Sequence, residues 1–384
     1  MRKTILASLA LAAGLTMAAS VASATDIDVI LPLTGPGAFL GQAQHTALMR
    51  LEQAIKDGKI KEAPIHFVFH DDQTVPQNGV QLLNELKAKN SPVIIGSSLV
   101  AVCNAMAPIA LKNGPVLYCL SPGIHPPAGG YVFTSGVDTR DLAASLIRYW
   151  RLHGITKLGL ITSTDASGQD AERNIRAIVA LPENQDVKIV GDGRFNPGDV
   201  SATAQIERIK ETNPQAIIAW STGGPVATVL KAIAATGLDI PVGTTNGNMT
   251  FAQMDQYDSF LPKELYIPTS SWMAGKPGSA LDEAHKPLRA VYAAANDMPD
   301  SAATLGWDPA LIIAHVLTKL GPSATAQQVR DELLSIKGYT GVNGSYDYSA
   351  SAQRGLTEDS VIVSRWNKAA RAWQPVSGPH GLPE

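Results

Sequence analysis

Short β-rich runs alternate with amphipathic helical stretches along most of this chain, and that alternation is the strongest constraint on its fold. The apolar runs Ile27–Leu33, Ile65–His70, Val93–Ile95, Val116–Leu120, Leu158–Thr162, Lys188–Gly191, Ala216–Trp220 and Pro241–Thr244 read as strands. Between them, 42–56, 77–89, 101–112, 142–153, 202–212 and 226–236 carry apolar residues at helical spacing. Ser201 stands where a helix should start, and Gly114, Gly154 and Gly237 stand where helices should end. Continuous apolar strands such as Val93-Ile94-Ile95 and Ile217-Ile218-Ala219 suit a parallel sheet covered on both faces. The fold class expected is therefore α/β and doubly wound. The alternation runs through two sets, one at about 26–135 and one ending near Thr244. A mostly helical portion follows at about 265–335, and then short strands at 344–348 and 361–366. That late portion suggests a chain crossing back between two lobes, with a ligand cleft between them.

The first residues stand apart. Arg2 and Lys3 precede the apolar segment Thr4–Ala19, and Ala22-Ser23-Ala24 supplies a small-residue cleavage signal. This is the pattern of a secretory signal peptide cut after Ala24, too short in its apolar core to span a bilayer. Removing residues 1–24 takes two basic residues, so the net charge of -3 becomes -5. A chain short of Lys and Arg is a poor partner for nucleic acid. With no later run of about 18 apolar residues and no lipid-accepting Cys after the signal core, a free, soluble periplasmic protein is expected. An oxidising compartment permits a disulfide between Cys103, placed on a helix, and Cys119, placed on the next strand. Two cysteines without C-x-x-C spacing are too few for a zinc site, and no metal is expected.

Catalytic and cofactor motifs are weak. Gly35-Pro36-Gly37-Ala38-Phe39-Leu40-Gly41 follows the first strand like a dinucleotide turn, but its glycine spacing is one residue too long and no acidic residue closes a second strand at the right distance. It reads better as a glycine-rich turn whose N–H groups face a ligand. His70-Asp71-Asp72 reads as a turn cap rather than a metal cluster. Ser97-Ser98 precede a helix, where capping and ligand contact are equally supported. His125 and Trp220 are solitary, and nothing assembles a nucleophile with its base. Neither enzymatic activity nor a cofactor is expected.

A resemblance is carried by the motifs Thr34-Gly35-Pro36 with Gly41, Gly96-Ser97-Ser98, Ala107-Pro108-Ile109-Ala110, Ser121-Pro122-Gly123, Ser167-Gly168 and Asn213-Pro214. In this order, over about 26–370, the chain resembles the type I periplasmic solute-binding proteins of ABC importers, in particular the leucine/isoleucine/valine-binding branch. The resemblance implies an N-terminal lobe of 25–138 plus 270–343 and a C-terminal lobe of 139–269 plus 344–384, joined by three crossovers. It implies ligand contacts at Phe39 or Leu40, Ser97, Ser98, Gly123, Ile124 and His125 from the first lobe. From the second lobe it implies Ser167, Trp220, Thr245 and Asn246. In that family first-lobe N–H and hydroxyl groups hold a carboxylate and the second lobe supplies an acid for an α-ammonium. Here no acid stands at Thr244–Asn246, Ser167 replaces an aromatic residue, and His125 replaces a small hydroxyl residue. A buried ammonium without an anionic partner is costly, so an ordinary branched-chain amino acid fits only if Asp165 reaches it. The function implied is capture of a small carboxylate-bearing solute, an amino acid or an organic or aromatic acid, by hinge closure. The implied partner is an ABC permease in the inner membrane, and a monomer is expected. The alternative is a ligand-sensing receptor lobe of the same fold, which would ordinarily be fused to a transmembrane or DNA-binding segment.

Overall fold

The computed structural model describes residues 24–383. The segment read as a signal peptide lies, up to Ser23, outside the described residues.

The first sheet is assembled from β1 (Thr25–Leu31), β2 (Ile65–Asp71), β3 (Val93–Ile95), β4 (Val116–Cys119) and β5 (Val132–Thr134), in the spatial order β2-β1-β3-β4-β5. Every pairing in it is parallel. Residue alternation explains how both faces are filled. Ile27, Val29, Val93, Ile95, Val116 and Tyr118 enter one apolar cluster, whereas Ile30, Ile94, Leu117 and Cys119 enter another. The second face is covered by α2 (Pro76–Ala88) and α3 (Val100–Ala110) through Leu83, Leu86, Val102 and Met106. On the first face lie α1 (Ala38–Lys56) and, from late in the chain, α10 (Ser301–Leu320), with Leu48, Leu51, Trp307 and Ile313 buried. This chemistry is why β3 and β4 read as unbroken apolar runs.

Elements of the second lobe, in chain order, are α4 (Thr139–Leu152), β6 (Lys157–Ser163), α5 (Ala166–Val179), β7 (Lys188–Phe195), α6 (Thr203–Glu211), β8 (Ala216–Trp220), α7 (Gly224–Ala235), β9 (Val242–Gly243), α8 (Phe251–Tyr257) and β10 (Leu265–Ser270). The chain then returns to the first sheet with α9 (Ala280–Ala294), α10 and α11 (Ala326–Ser335). It makes the antiparallel hairpin β11 (Lys337–Thr340) and β12 (Ser345–Asp347), and ends with β13 (Val361–Asn367) and β14 (Ala372–Pro375). The second sheet runs β14-β13-β10-β9-β8-β6-β7, parallel in its centre and antiparallel from β10 to β14.

No run named from the sequence corresponds to α5, α8, β5, β10, β11 or β14. Ser201 is not the residue at the start of α6. Ala202 takes the cap position, and the Ser201 hydroxyl accepts from Thr203 N at 3.2 Å. Gly114, Gly154 and Gly237 do follow helix ends, each with φ between 66° and 78°. The boundary expected at 343/344 falls inside the β11–β12 hairpin. Beyond it the chain still bonds to the first lobe, with Gln353 Nε2 donating to Gly130 O at 2.9 Å and Arg354 Nη2 to Ile124 O at 2.6 Å. Contacts with the first lobe therefore continue as far as Arg354. Buried Asp308 on α10 accepts from Val342 N and Asn343 N, both at 2.8 Å, from Asn343 Nδ2 at 2.9 Å and from Tyr346 Oη at 3.0 Å, fixing the turn into β12. Among the described residues no helix is long and apolar enough to cross a membrane.

Candidate functional site: the cleft between the lobes

The carboxyl ends of β1, β3 and β4 face those of β6, β8 and β9 across a cavity of about 360 Å³, small among small-molecule sites of roughly 300–1,000 Å³. Parallel strands all end on the same side, so the loops leaving them converge there.

On the first lobe, the turn after β1 is held by Asp71. Its carboxylate accepts from Leu33 N at 2.9 Å, Thr34 Oγ1 at 2.6 Å and Gln73 N at 2.9 Å. Burial pushes that carboxyl up, but these hydrogen bonds outweigh it and hold it below the ordinary aspartate range. Asp72 is fully buried, and burial pushes it up against the opposing bonds from Ser97 and Thr74. The His70-Asp71-Asp72 run thus builds turns. Gly96 carries the chain from β3 into the site at φ 114°, where a Cβ would meet Ile30 O at 1.8 Å. Glycine is required there on both counts.

The two serines that follow diverge. Ser97 Oγ donates to Asp72 Oδ2 at 2.6 Å, fully buried and away from the cleft. Ser98 lines the cleft, its hydroxyl against Gln44 Oε1. Neither caps α3, which opens at Leu99 with no side-chain cap. The N–H groups of its first turn therefore have no intrahelical acceptor and lie beside Ser98. Gln44 is fully buried with Nε2 unpartnered. Turning its amide over would set Nε2 against Ser98 Oγ and free the serine proton for the cleft.

Of the residues singled out from the sequence, the structure brings Phe39, Leu40, Ser98, Gly123, Ser167, Trp220, Thr245 and Asn246 to this cavity. Ser97, Ile124 and His125 are placed elsewhere. Ile124 is buried in the apolar layer under α2 and α3. His125 lines a separate cavity of about 440 Å³ with Asp138, Asp170 and Arg354. Asp138 and Asp170 hydrogen-bond its ring and raise its pKa to about 9 against the opposing effect of burial.

Leu305, Thr222 and Gly247 line the cleft without being singled out from the sequence, whereas Asp165 is named there. Leu305 comes from α10, and Thr222 and Gly247 from second-lobe turns. Asp165 is the one charged side chain among the residues lining the cleft. It caps α5, with Oδ1 accepting from Gly168 N at 2.9 Å and Ser163 Oγ at 2.8 Å. An Asp followed by apolar residues at 171, 175 and 178 was a legible cap signal. Gly223, at φ 78°, approaches the first lobe so closely that a Cβ would stand 2.6 Å from Phe39 Cε1. Asn248 shapes that turn, its Oδ1 accepting from Gly223 N at 2.7 Å and its Nδ2 donating to Ser221 O at 2.6 Å.

The arrangement offers hydroxyls, open N–H groups and one carboxylate in an otherwise apolar cavity. It is suited to holding a small polar-headed molecule, and its lining shows no nucleophile with a base.

Comparison with known proteins agrees. A Leu/Ile/Val-binding protein homolog 3 from Brucella melitensis is 30% identical over 118 residues, 30% of this chain and 32% of the relative. The chain therefore matches about a third of the length of such curated relatives. Among solved structures, an ABC transporter solute-binding protein from R. palustris in complex with benzoate superposes with a TM-score of 0.77 at 18% identity, covering 94% of this chain and 97% of that one. The branched-chain amino acid transporter substrate-binding protein LivJ from Streptococcus pneumoniae, in complex with isoleucine, gives 0.74 at 17% identity, covering 92% and 99%. These likenesses show the two-lobed fold. The profile of the family described as periplasmic binding protein matches residues 26–371, and the chain belongs to that family.

Proposed function

We propose that this chain is the periplasmic substrate-binding component of an ABC importer and that it captures a small carboxylate-bearing solute between its lobes. Its relatives are binding proteins rather than enzymes. The observation that carries the ligand class is the Ser98 hydroxyl beside the uncapped first turn of α3, facing an apolar cavity. Such a helix start holds an anion with backbone N–H groups alone, and no Lys, Arg or His lines the cavity to recruit one by charge.

In this reading Ser98 and Gly123 hold the head group, while Phe39, Leu40 and Trp220 enclose the body. Ser167, Thr245 and Asn246 close on it from the second lobe. The closing units are 25–138 with 270 to about 354, and 139–269 with the remainder, after export and cleavage behind Ala24. Closure would present the loaded form to an inner-membrane permease. An organic or aromatic acid fits the apolar walls directly. An amino acid is favoured by one specific feature, the Asp165 carboxylate, which stands at the cleft although the Thr244–Asn246 segment has no acid.

A thermal-shift screen of amino acids against aromatic and organic acids tests this, because a ligand selective for the folded state raises the melting temperature. Stabilisation by members of the acid classes supports the proposal. Stabilisation confined to sugars or polyamines would remove it.

A further inference from the structure

We propose that His125 is a latch that holds the two lobes together from outside the ligand cleft. His125 sits on the first-lobe loop after β4, and Asp170 sits on α5 of the second lobe. Nε2 of the ring lies 2.9 Å from Asp170 Oδ1, and Nδ1 lies 3.1 Å from Asp138 Oδ2 at the first crossing. A neutral imidazole has one N–H and satisfies one carboxylate. Two carboxylates, one on each ring nitrogen, call for an imidazolium, so the contact is a charged bridge across the lobes.

The surroundings fit that role. Asp170 is 3% exposed, and its second oxygen, Oδ2, is buried without a partner. That oxygen lies 3.3 Å from where a Cβ on cleft-lining Gly123 would stand, which places the acid tight against the first lobe. Arg354 Nη2, 3.2 Å from Asp138 Oδ2, holds the crossing side of the bridge in place. Separation of the lobes would strip Asp170 of its histidine and leave Arg173 and Asn174, each at 3.3 Å, as its remaining side-chain partners. The latch therefore favours the closed form without touching a ligand. It rests on closure of the two lobes and is independent of which solute binds.

The groups facing the ring are Asp138 before α4, Arg140 and Asp141 on α4, Asp170 and Arg173 on α5, and Arg354 beyond β12. The folded pKa of His125 is raised, to about 9. Its contribution is thus complete below the unfolded value near 6.5 and is lost as pH rises through about 9.

The test is double electron–electron resonance on protein stripped of co-purified ligand by unfolding and refolding. Spin labels at Gln81→Cys on α2 and Glu207→Cys on α6 report the distance between lobes at pH 7. His125→Ala, His125→Gln and Asp170→Asn are each expected to raise the open-to-closed ratio about fivefold or more. The double variant His125→Ala with Asp170→Asn should open no further than either alone. Raising the pH from 7 to 10 should lengthen the distance in the parent protein more than in His125→Ala. Distance distributions unchanged in the folded variants, or fully additive effects, would overturn the latch.

Discussion

The disulfide between Cys103 and Cys119 offers the sharpest test of how the cleft wall around Ser98 is held. It joins α3 to β4, with Cα atoms 6.1 Å apart, and both residues are fully buried. The open first turn of α3 and the loop after β4 are the two walls that flank Ser98 and Gly123. With 16 residues of separation, closing that loop in the unfolded chain removes about 10 cal/mol/K of entropy, or about 3 kcal/mol at 25 °C. Reduction leaves both sulfurs in the apolar layer, so it isolates the cross-link from packing. The assay is urea unfolding of oxidised protein against protein unfolded, reduced and refolded under reductant. The reduced form is expected to lose about 3 kcal/mol, with a steeper or equal denaturant slope because its unfolded state is less constrained. A loss below about 1 kcal/mol would refute the loop-entropy reasoning.

Two substitutions probe neighbouring features. Ser98→Ala removes the cleft hydroxyl and is expected to weaken a carboxylate ligand by about 1–3 kcal/mol with little effect on folding; calorimetric titration reads it, and unchanged affinity takes Ser98 out of the site. Asp308→Ala leaves the buried donors Val342 N, Asn343 N and Tyr346 Oη without their acceptor, and Asn343 Nδ2 with Thr304 O alone. The expected loss is at least about 3 kcal/mol in urea unfolding, and a loss under 1 kcal/mol would mean that the turn into β12 is held by something else.

The central sheets were legible because parallel strands buried on both faces must be apolar at every position, as in Val93–Ile95 and Ala216–Trp220. Strand β10 escaped because Pro268 sits inside it and reads as a breaker, yet it pairs antiparallel with β13 near the edge of the sheet. Helix α5 escaped because its opening Ala-Ser-Gly-Gln-Asp looks like a loop, although Asp165 announced its start. The cleft residues Ser98, Ser167, Trp220 and Asn246 came from the family resemblance rather than from local signals, and they lie at or just beyond strand ends, where parallel strands bring their loops together. The direction of each side chain was not legible. Ser97 turned to Asp72 because a buried carboxylate needs donors, and His125 turned outward because two carboxylates 13 and 45 residues away converge on it. Contacts that exist only where lobes meet, such as Phe39 against Gly223, have no local signature.

The central claim is that the cleft recognises a carboxylate. It is tested most directly by calorimetric titration of the strongest acid found in the thermal screen, for example leucine or benzoate, beside its neutral amide, leucinamide or benzamide. The account predicts that the amide binds at least about tenfold more weakly, the cost of losing charge-assisted hydrogen bonds to Ser98 and the start of α3. Equal affinity for acid and amide would contradict it.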